Sequence, residues 1–550
     1  MINCKSQNTP SETVTIEQET AVDETFETYQ KEGSPGLAIA ILKKNQVIFQ
    51  KGYGLANLEK EERIVPEESV FALASVSKQF TVMAILLLEE RGKLSLEDDI
   101  RKYIPELHDF GNKISLKHLA SNTSGYRSDL QLLGMKGFTN DDAISRTVVN
   151  EVIFNQKELN FKPGAEFRYS NSGFALLAEV VERVSGKPFS SFMEAEIFKP
   201  LGMHQTFVMD DLTRTIEHLA PSYAFYNDTF VSDPLKYSFV GSTGIFTTLT
   251  DFVKWAKNFE DHTIGNGSIF DKMNAAVELN NGTSAPYALG QFIEVYNGMD
   301  QIQHGGGSAS YRTYIGRFPN EEFTVLLLSN VGNINIQKKA MEVVDVFLTP
   351  EKQANKKEKE EVLFINLPAN KLTSLEGNFI HPLNNYTRKI ELRNDTLRYI
   401  RTEQNNRESV LLPIDETTFQ LGNYTNTRIT FNTEGTKSTM EVEVDGKVED
   451  RLEKYESKEY PKEELQQFTG TYFSDELHTS YEISLLDKIL EINHPKMRTI
   501  QLFPIMEDVF LTNSWRFAIL KIQRAKDTNE IVGFRISSDR VRNVLFNKKK

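Results

Sequence analysis

The sequence is short of three things: cysteine, long apolar runs and positive charge. Its single cysteine, Cys4, excludes an internal disulfide and a metal site built from several thiolates. The longest apolar run, Val82 to Leu88, is far too short to cross a bilayer. The formal net charge of −14 argues against a nucleic-acid partner, and only the run from Asn547 to Lys550 is strongly basic. We therefore expect no nucleic-acid binding, no metal and no other cofactor.

The 550 residues have the composition of a globular protein and are enough for about three domains. The composition changes at Glu351, and the mixed charges from Lys356 to Glu361 predict a linker. Short strand and turn patterns follow it. The predicted segments are a disordered leader at 1–20, a first domain at 21–350, a linker at 351–367, and two small domains at 368–459 and 460–550.

An internal repeat predicts the last two domains. The matching positions are Leu372, Gly377 and Phe379 against Leu465, Gly470 and Tyr472, Ile390 against Ile483, and Pro413 with Phe419 against Pro504 with Phe510. The offset between the copies is nearly constant, and both copies contain short runs of alternating apolar residues. Such runs are typical of antiparallel strands, so each copy is predicted to form a small β-barrel.

A serine and a lysine three residues apart, Ser75 and Lys78, precede a long apolar helical pattern from Gln79 to Leu94. Apolar residues fill nearly its whole circumference, which predicts a buried helix. Residues three apart share a helix face, so the two side chains would point the same way. Ser75 would lie at the helix N-terminus, where the dipole favours developing negative charge. The alternative is that Ser75 is an N-cap and Lys78 a solvated residue.

A serine nucleophile needs a base, a proton donor for the leaving group and an oxyanion hole. A lysine can be the base where its pKa is lowered, and a neighbouring tyrosine can relay the proton. Tyr169 is the candidate tyrosine, and Asn171 would lie on the same side of an extended segment. The ordinary alternative for Tyr169 is a core residue.

Three glycines, Gly305 to Gly307, would let a strand backbone approach a substrate closely. The N–H groups of Gly307 and Ser75 could then form the oxyanion hole. The ordinary alternatives are a flexible glycine loop and, for the preceding His304, a structural or surface histidine.

Together these residues resemble the serine β-lactamase and penicillin-binding-protein family, in particular its branch of class C β-lactamases, D-aminopeptidases and esterases. The resemblance covers residues from about 21 to 350. The matching motifs are Ser75-Val-Ser-Lys78, Tyr169-Ser-Asn171 and His304-Gly-Gly306, with Asn122-Thr-Ser-Gly125, Pro163-Gly164 and Pro200-Leu-Gly-Met203 between them.

The resemblance implies an α/β sandwich with an antiparallel sheet flanked by helices and an all-helical lobe between Leu94 and about Thr250. The two barrel-like domains would follow it, as in the D-aminopeptidases that this layout resembles. It also implies an acyl-enzyme on Ser75, with Lys78 and Tyr169 as its catalytic partners. The substrate-binding residues implied are Asn171, His304, Gly306 and Gly307. Histidine in place of lysine at 304 weakens the usual carboxylate anchor, which favours an esterase, amidase or D-aminopeptidase over a β-lactamase.

Several functions stay open at this point. The first is a serine hydrolase with a small-molecule or peptide substrate, of amidase, esterase, D-aminopeptidase or β-lactamase type. The second is a penicillin-recognising or sensing protein that binds a ligand without turnover. The third confines the function to the repeats, as a module that binds carbohydrate, lipid or a partner. The oligomeric state is open under all three.

The first six residues, Met-Ile-Asn-Cys4-Lys-Ser, resemble the end of a bacterial lipoprotein signal, in which the cysteine carries the lipid. The apolar segment of such a signal is not in the sequence. Either Cys4 is the lipid anchor of a trimmed chain, or it is incidental. We expect the bacterial cell envelope or periplasm, with a cytoplasmic location as the alternative.

Overall fold

The computed structural model describes residues 14–139, 141–348, 362–382, 386–402, 407–422, 424–434, 437–444 and 446–549. The predicted lipid anchor at Cys4 and the charged run of the predicted linker lie outside these residues. The chain divides into two compact units, Met1–Leu130 with Asn140–Glu351, and Gln131–Thr139 with Lys352–Lys550. Across the described ranges, no helix is both long enough and apolar enough to span a membrane.

Unit 1 contains helices on either side of an antiparallel sheet. Its helices are α1 (Ile16–Thr25), α2 (Ser77–Glu90), α3 (Leu116–Ala120), α4 (Asp129–Lys136, which continues into unit 2), α5 (Arg146–Phe154), α6 (Asn171–Ser185), α7 (Phe189–Met193), α8 (Leu249–Asp261), α9 (Gly267–Asn274) and α10 (Ile336–Phe347). Its strands are β1 (Leu37–Lys43), β2 (Gln46–Tyr53), β3 (Leu55–Asn57), β4 (Glu62–Arg63), β5 (Phe71–Ala72), β6 (Phe207–Val208), β7 (Tyr223–Tyr226), β8 (Thr229–Ser232), β9 (Ile245–Thr247), β10 (Phe292–Tyr296), β11 (Met299–Ser308), β12 (Tyr311–Phe318) and β13 (Phe323–Ser329).

The main sheet has six antiparallel strands in the order β10-β11-β12-β13-β1-β2. Helix α10 packs on β12 and β13, and α8 packs on β1 and β13. Central strand β1 is buried from Leu37 to Leu42 without alternation, because the sheet is covered on both faces. This architecture confirms the predicted α/β sandwich.

Two predictions for this unit are wrong in part. The leader was predicted as disordered to residue 20, but α1 begins at Ile16, where Thr15 and Gln18 form a capping box. Only Val22 of this helix is fully buried, so the sequence has little apolar periodicity there. The lobe between Leu94 and Thr250 is mainly helical but not all-helical, because it also contains β6 to β9.

Unit 2 contains two closed antiparallel barrels of eight strands each, which confirms the two predicted barrel-like domains. The first comprises β14 (Gly377–Ile380), β15 (Thr387–Arg393), β16 (Thr396–Arg401), β17 (Arg407–Pro413), β18 (Thr418–Leu421), β19 (Tyr424–Glu434), β20 (Lys437–Val444) and β21 (Lys447–Tyr455), preceded by α11 (Ala369–Ser374). The second comprises β22 (Gly470–Ser474), β23 (Thr479–Leu486), β24 (Ile489–Asn493), β25 (Ile500–Met506), β26 (Val509–Thr512), β27 (Ile519–Arg524), β28 (Ile531–Ser537) and β29 (Val544–Lys548), preceded by α12 (Lys462–Leu465).

The repeated residues occupy equivalent positions in the two barrels. Gly377 pairs across the sheet with Ile390, and Gly470 pairs in the same way with Ile483. The pair Pro413 and Phe419 likewise corresponds to the pair Pro504 and Phe510. Apolar side chains such as Phe419, Ile429 and Met440 form the core of the first barrel.

Unit 2 also includes Gln131–Thr139, which the sequence analysis placed in the first domain. The Tyr481 hydroxyl donates to the Met135 carbonyl, and Arg516 Nη1 donates to the Phe138 carbonyl at 3.4 Å. Lys496 Nζ lies 5.5 Å from the centre of the Phe138 ring. This short segment is therefore bound by side chains of the second barrel.

Candidate active site

Ser75 lies in a 3₁₀ turn, Ala74–Val76, that leads directly into α2. Ala74 has a φ of +48°, which is uncommon for a residue with a side chain. Neighbours on two sides hold this turn: the Leu73 N–H donates to the Ile245 carbonyl at 2.8 Å, and Thr313 Oγ1 donates to the Leu73 carbonyl at 2.8 Å. The strained turn is therefore held between β9 and β12, which fixes Ser75.

Lys78 lies in the first turn of α2 and is completely buried. Its Nζ donates to Ser75 Oγ at 3.1 Å and to the Ser242 carbonyl at 2.9 Å. The rings of Tyr169 and Phe174 lie 4.9 Å and 5.4 Å from Nζ. The side chains of Ser75 and Lys78 point the same way, as predicted. The alternative of a solvated Lys78 is wrong.

Tyr169 is half-buried and precedes α6. Its ring stacks on Phe292 at 6.2 Å and meets Tyr287 edge-on at 6.1 Å, so aromatic neighbours hold it beside Lys78. The extended segment ends at Ser170, and Asn171 is already the first residue of α6. The expectation that Asn171 continues the extended segment is therefore wrong.

Five buried side-chain atoms in this region have no hydrogen-bond partner among the described residues. They are Asn122 Nδ2, Asp129 Oδ2, Ser170 Oγ, Asn171 Oδ1 and Ser242 Oγ. The first is linked to the site because Asn122 Oδ1 accepts from the Ser170 N–H at 2.9 Å. Since the great majority of buried polar atoms are paired, the unpaired atoms of Asp129 and Ser242, two residues near Lys78, favour a site for a polar ligand.

Asp129 is the charged group near Lys78 that the sequence analysis missed. Its carboxyl is fully buried, and burial raises its pKa to about 6, although the positive charge of Lys78 acts in the opposite direction. A single acid at the start of a short helix gives no sequence signal for such a position. The same holds for the Ser242 carbonyl, which depends on a contact between residues distant in the chain.

Among the residues that can be placed, no group of three or more His, Cys, Asp or Glu side chains could hold a metal ion.

His304 is buried in β11 and both of its ring nitrogens have partners. Nε2 lies 2.9 Å from the Tyr287 hydroxyl, and Nδ1 lies 2.6 Å from the Gly305 carbonyl. Burial, assisted by the charge of Lys78, lowers the pKa of His304 to about 3. The ring is therefore neutral near pH 7 and provides no positive charge for a substrate carboxylate.

We predict that His304 makes the protein acid-sensitive. Its pKa is lower in the folded state than the ordinary 6.5, so below pH 6.5 only the unfolded chain gains the proton and stability falls. Between pH 7.5 and 5 this amounts to about 2 kcal/mol. Urea unfolding followed by Trp255 fluorescence, with Trp515→Phe removing the other tryptophan, should show a smaller loss in His304→Gln.

The control for this prediction is His204→Gln, because His204 is exposed. It should retain the acid sensitivity of the parent protein. Equal losses of stability in His304→Gln and the parent would show that His304 does not cause the effect.

The part of β11 that contains Gly305 to Gly307 lies against the Ser75 turn. A Cβ placed on Gly306 would lie 2.2 Å from Thr313 Oγ1 and 2.6 Å from the Leu73 carbonyl oxygen, so only glycine fits. Pairing of β11 with β10 ends at Gln303, and His304 to Ser308 pair only with β12. The other edge of this stretch has no β-strand partner among the described residues. Its backbone could therefore pair with an extended substrate.

An antiparallel α/β sandwich with a serine and a buried lysine at the start of a central helix is typical of penicillin-recognising serine hydrolases. The chain belongs to the beta-lactamase family, whose model matches residues 22–339.

Two curated relatives show the range within the family. A D-aminopeptidase from Gluconobacter oxydans is 25% identical over 298 residues, which are 54% of this chain and 56% of that protein. Penicillin-binding protein 4* from Bacillus subtilis is 26% identical over 322 residues, 56% of this chain and 70% of that protein. The chain thus matches little more than half the length of the D-aminopeptidase.

Two solved structures share the fold. The octameric penicillin-binding protein homologue from Pyrococcus abyssi has a TM-score of 0.55 at 23% identity, covering 80% of this chain and 99% of that one. The D-amino acid amidase from Ochrobactrum anthropi has a TM-score of 0.52 at 18% identity, covering 60% and 98%. At these identities the likeness concerns the fold alone.

Proposed function

We propose that the protein is a serine hydrolase that cleaves an amide or ester through an acyl-enzyme on Ser75. The observation that carries the proposal is the 3.1 Å contact between Lys78 Nζ and Ser75 Oγ, made by a fully buried amine. Serine is a weak nucleophile on its own, and a base within hydrogen-bond reach activates it. The positive φ of Ala74 and the two bonds to Leu73 support the fixed geometry that such a step requires.

In this mechanism the Ser75 hydroxyl attacks the substrate carbonyl while its proton passes to Lys78 or, through it, to Tyr169. The carbonyl oxygen gains the negative charge, and the N–H groups of Ser75 and Gly307 are the proposed donors to it. The bond to the leaving amine or alcohol then breaks, and the proton held by the Lys78–Tyr169 pair goes to the leaving group. Water attacks the acyl-enzyme in the reverse sense and releases Ser75.

For the substrate we propose a D-aminopeptidase, esterase or peptidase type. The neutral, buried His304 provides no fixed cation, which disfavours β-lactam hydrolysis. A relative named as a D-aminopeptidase supports amide substrates with a D-residue. Asn171 and Gly306 are the proposed contacts to the substrate on the two sides of Ser75.

The test is covalent labelling of the full chain with a fluorophosphonate, read by intact mass. We expect one adduct per chain, and none in Ser75→Ala, because the probe reacts with an activated serine. Ser77→Ala is a matched control, since Ser77 lies two residues away and its hydroxyl accepts from the Ile245 N–H at 3.2 Å. Absence of an adduct on folded protein would refute the proposal.

Turnover then separates catalysis from binding. D-aminoacyl anilides, short-chain esters and a chromogenic cephalosporin should be tested on the parent protein and on Ser75→Ala. We expect hydrolysis of an anilide or ester that depends on Ser75. An adduct without any turnover would favour the alternative of a penicillin-recognising or sensing protein.

A further inference from the structure

Asp129, the first residue of α4, has a fully buried carboxyl group that is only partly hydrogen-bonded. Its Oδ1 accepts from the Leu130 N–H at 2.8 Å and from Ser128 Oγ at 3.5 Å. Its Oδ2 has no hydrogen-bond partner in the described part of the chain. A buried carboxylate in such surroundings is unfavourable unless an opposite charge balances it.

The charge that acts on this carboxyl is that of Lys78, which is buried as completely as Asp129. The guanidinium of Arg127 lies two residues before Asp129 in the chain, but its Nη2 donates to Glu158 Oε2 at 3.3 Å. The buried amine and the buried carboxyl therefore form a pair of opposite charges in one region of the fold.

Helix α6 connects the two residues. Ser172 Oγ, in the first turn of α6, accepts from the Asp129 N–H at 2.9 Å and donates to the Arg127 carbonyl at 2.7 Å. Two residues further along this helix, the ring of Phe174 lies 5.4 Å from Lys78 Nζ. Since α2 packs against α6, the backbone of Asp129 is held relative to the amine of Lys78.

The other titratable groups around Lys78 are Tyr169, Tyr287 and His304. Tyr169 belongs to the proposed proton relay. Burial raises the pKa of Tyr287 well above its usual value of 10 and lowers the pKa of His304 to about 3. Both are therefore neutral near pH 7. Of these neighbours and Asp129, it is Asp129 that can balance a positive charge on Lys78.

We propose that Asp129 is a positioning residue that acts through Lys78, as the counter-charge of the ammonium formed when Lys78 accepts the Ser75 proton. The inference rests on the proposed function and adds the control of its pH range. As Ser75 Oγ bonds to the substrate carbonyl carbon, its proton moves to Lys78 Nζ, and Asp129 stays ionised. The negative charge stabilises the new ammonium, and it equally holds a proton on Lys78 in the resting enzyme. Asp129 thus sets the pH at which Ser75 becomes reactive.

The test is the pH dependence of fluorophosphonate labelling of Ser75 in the full chain, from pH 5 to pH 10, read by intact mass. Asp129→Asn keeps the shape of the side chain and the Oδ1 acceptor but removes the charge. We expect the midpoint of the rise in labelling rate to fall by about one pH unit or more. The plateau at high pH should also be lower, because a less basic amine is a weaker general base. The variant should therefore label faster than the parent protein in acid and more slowly in alkali.

Two control variants separate the charge from the structure. Ser172→Ala removes the side chain that accepts from the Asp129 N–H but keeps the carboxylate, so its midpoint should be that of the parent protein. Glu158→Gln removes an exposed acid that contacts Arg127, and its midpoint should also be unchanged.

We expect Asp129→Asn to fold. Burial raises the pKa of Asp129 from its usual 3.8 to about 6, so the ionised carboxyl lowers stability near neutral pH, and a neutral amide removes this cost. A second measurement does not need this variant. Coupling between two titrating groups is reciprocal, so loss of the Lys78 charge must raise the pKa of Asp129. The infrared C=O band of the protonated carboxyl should therefore persist to higher pH in Lys78→Met than in the parent protein.

Three outcomes would overturn the inference. Slowing of Asp129→Asn by the same factor at every pH would assign Asp129 to structure alone. An unchanged pH profile in this variant, or the same infrared titration in Lys78→Met and the parent protein, would show that the two charges are not coupled. Failure of the parent protein to label on Ser75 at any pH would remove the proposed function, and this inference with it.

Discussion

Lys78→Met will slow the covalent labelling of Ser75 by about 10²- to 10⁴-fold, the usual contribution of a positioned base. Methionine is close to lysine in length and lacks the amine that contacts Ser75 Oγ and the Ser242 carbonyl. The substitution also leaves the Ser242 carbonyl without this donor, which lowers stability, so the rate is read on protein shown to be folded. The measurement is the second-order rate constant for fluorophosphonate labelling, together with the urea midpoint.

The control for this substitution is Lys254→Met on α8. Lys254 contacts the Gly202 carbonyl and Asp251 and has no contact with Ser75. It should label at the parent rate. A Lys78→Met protein that is folded and labels within threefold of the parent would exclude Lys78 as the base.

Gly306→Ala will lower both the stability of the folded protein and the labelling rate of Ser75. The added Cβ meets Thr313 Oγ1 and the backbone oxygen of Leu73, and the backbone oxygen cannot move without shifting the Ser75 turn. Overpacking of this kind costs about 1–3 kcal/mol. We expect a matching fall in the urea midpoint, read by Trp255 fluorescence in the Trp515→Phe background, and labelling at least about tenfold slower.

Gly305→Ala is the matched control, one residue away in the same strand. A Cβ at Gly305 meets only the Thr313 carbonyl and the Tyr314 ring, both at 3.9 Å, which is ordinary contact. Its stability should lie within about 0.5 kcal/mol of the parent protein. If Gly306→Ala matched Gly305→Ala in both measurements, the close packing of the strand on the turn would be irrelevant to function.

The features that could be predicted from the sequence depend on local geometry. The common direction of Ser75 and Lys78 follows from helical spacing, and the barrels follow from alternation repeated at a nearly constant offset. The start of α6 was harder, because Ser170, Asn171 and Ser172 are all residue types that favour the N-cap position. Asn171 was therefore predicted to lie in the extended segment, although it is the first residue of α6.

The features that could not be predicted depend on contacts between distant residues. The Ser242 carbonyl meets Lys78 across the fold, and a backbone acceptor has no signature in the sequence. The neutral state of His304 follows from its burial, assisted by the positive charge of Lys78.

The assignment of Gln131–Thr139 to unit 2 has a practical consequence for dissecting this protein. A chain shortened at residue 350 would keep the segment but lose Tyr481 and Arg516, which bind its backbone. Leu132, Leu133 and Met135, all buried in the full chain, would then lack part of their surroundings. Such a fragment should aggregate more readily than the intact polypeptide, so expression trials are better designed around the whole chain.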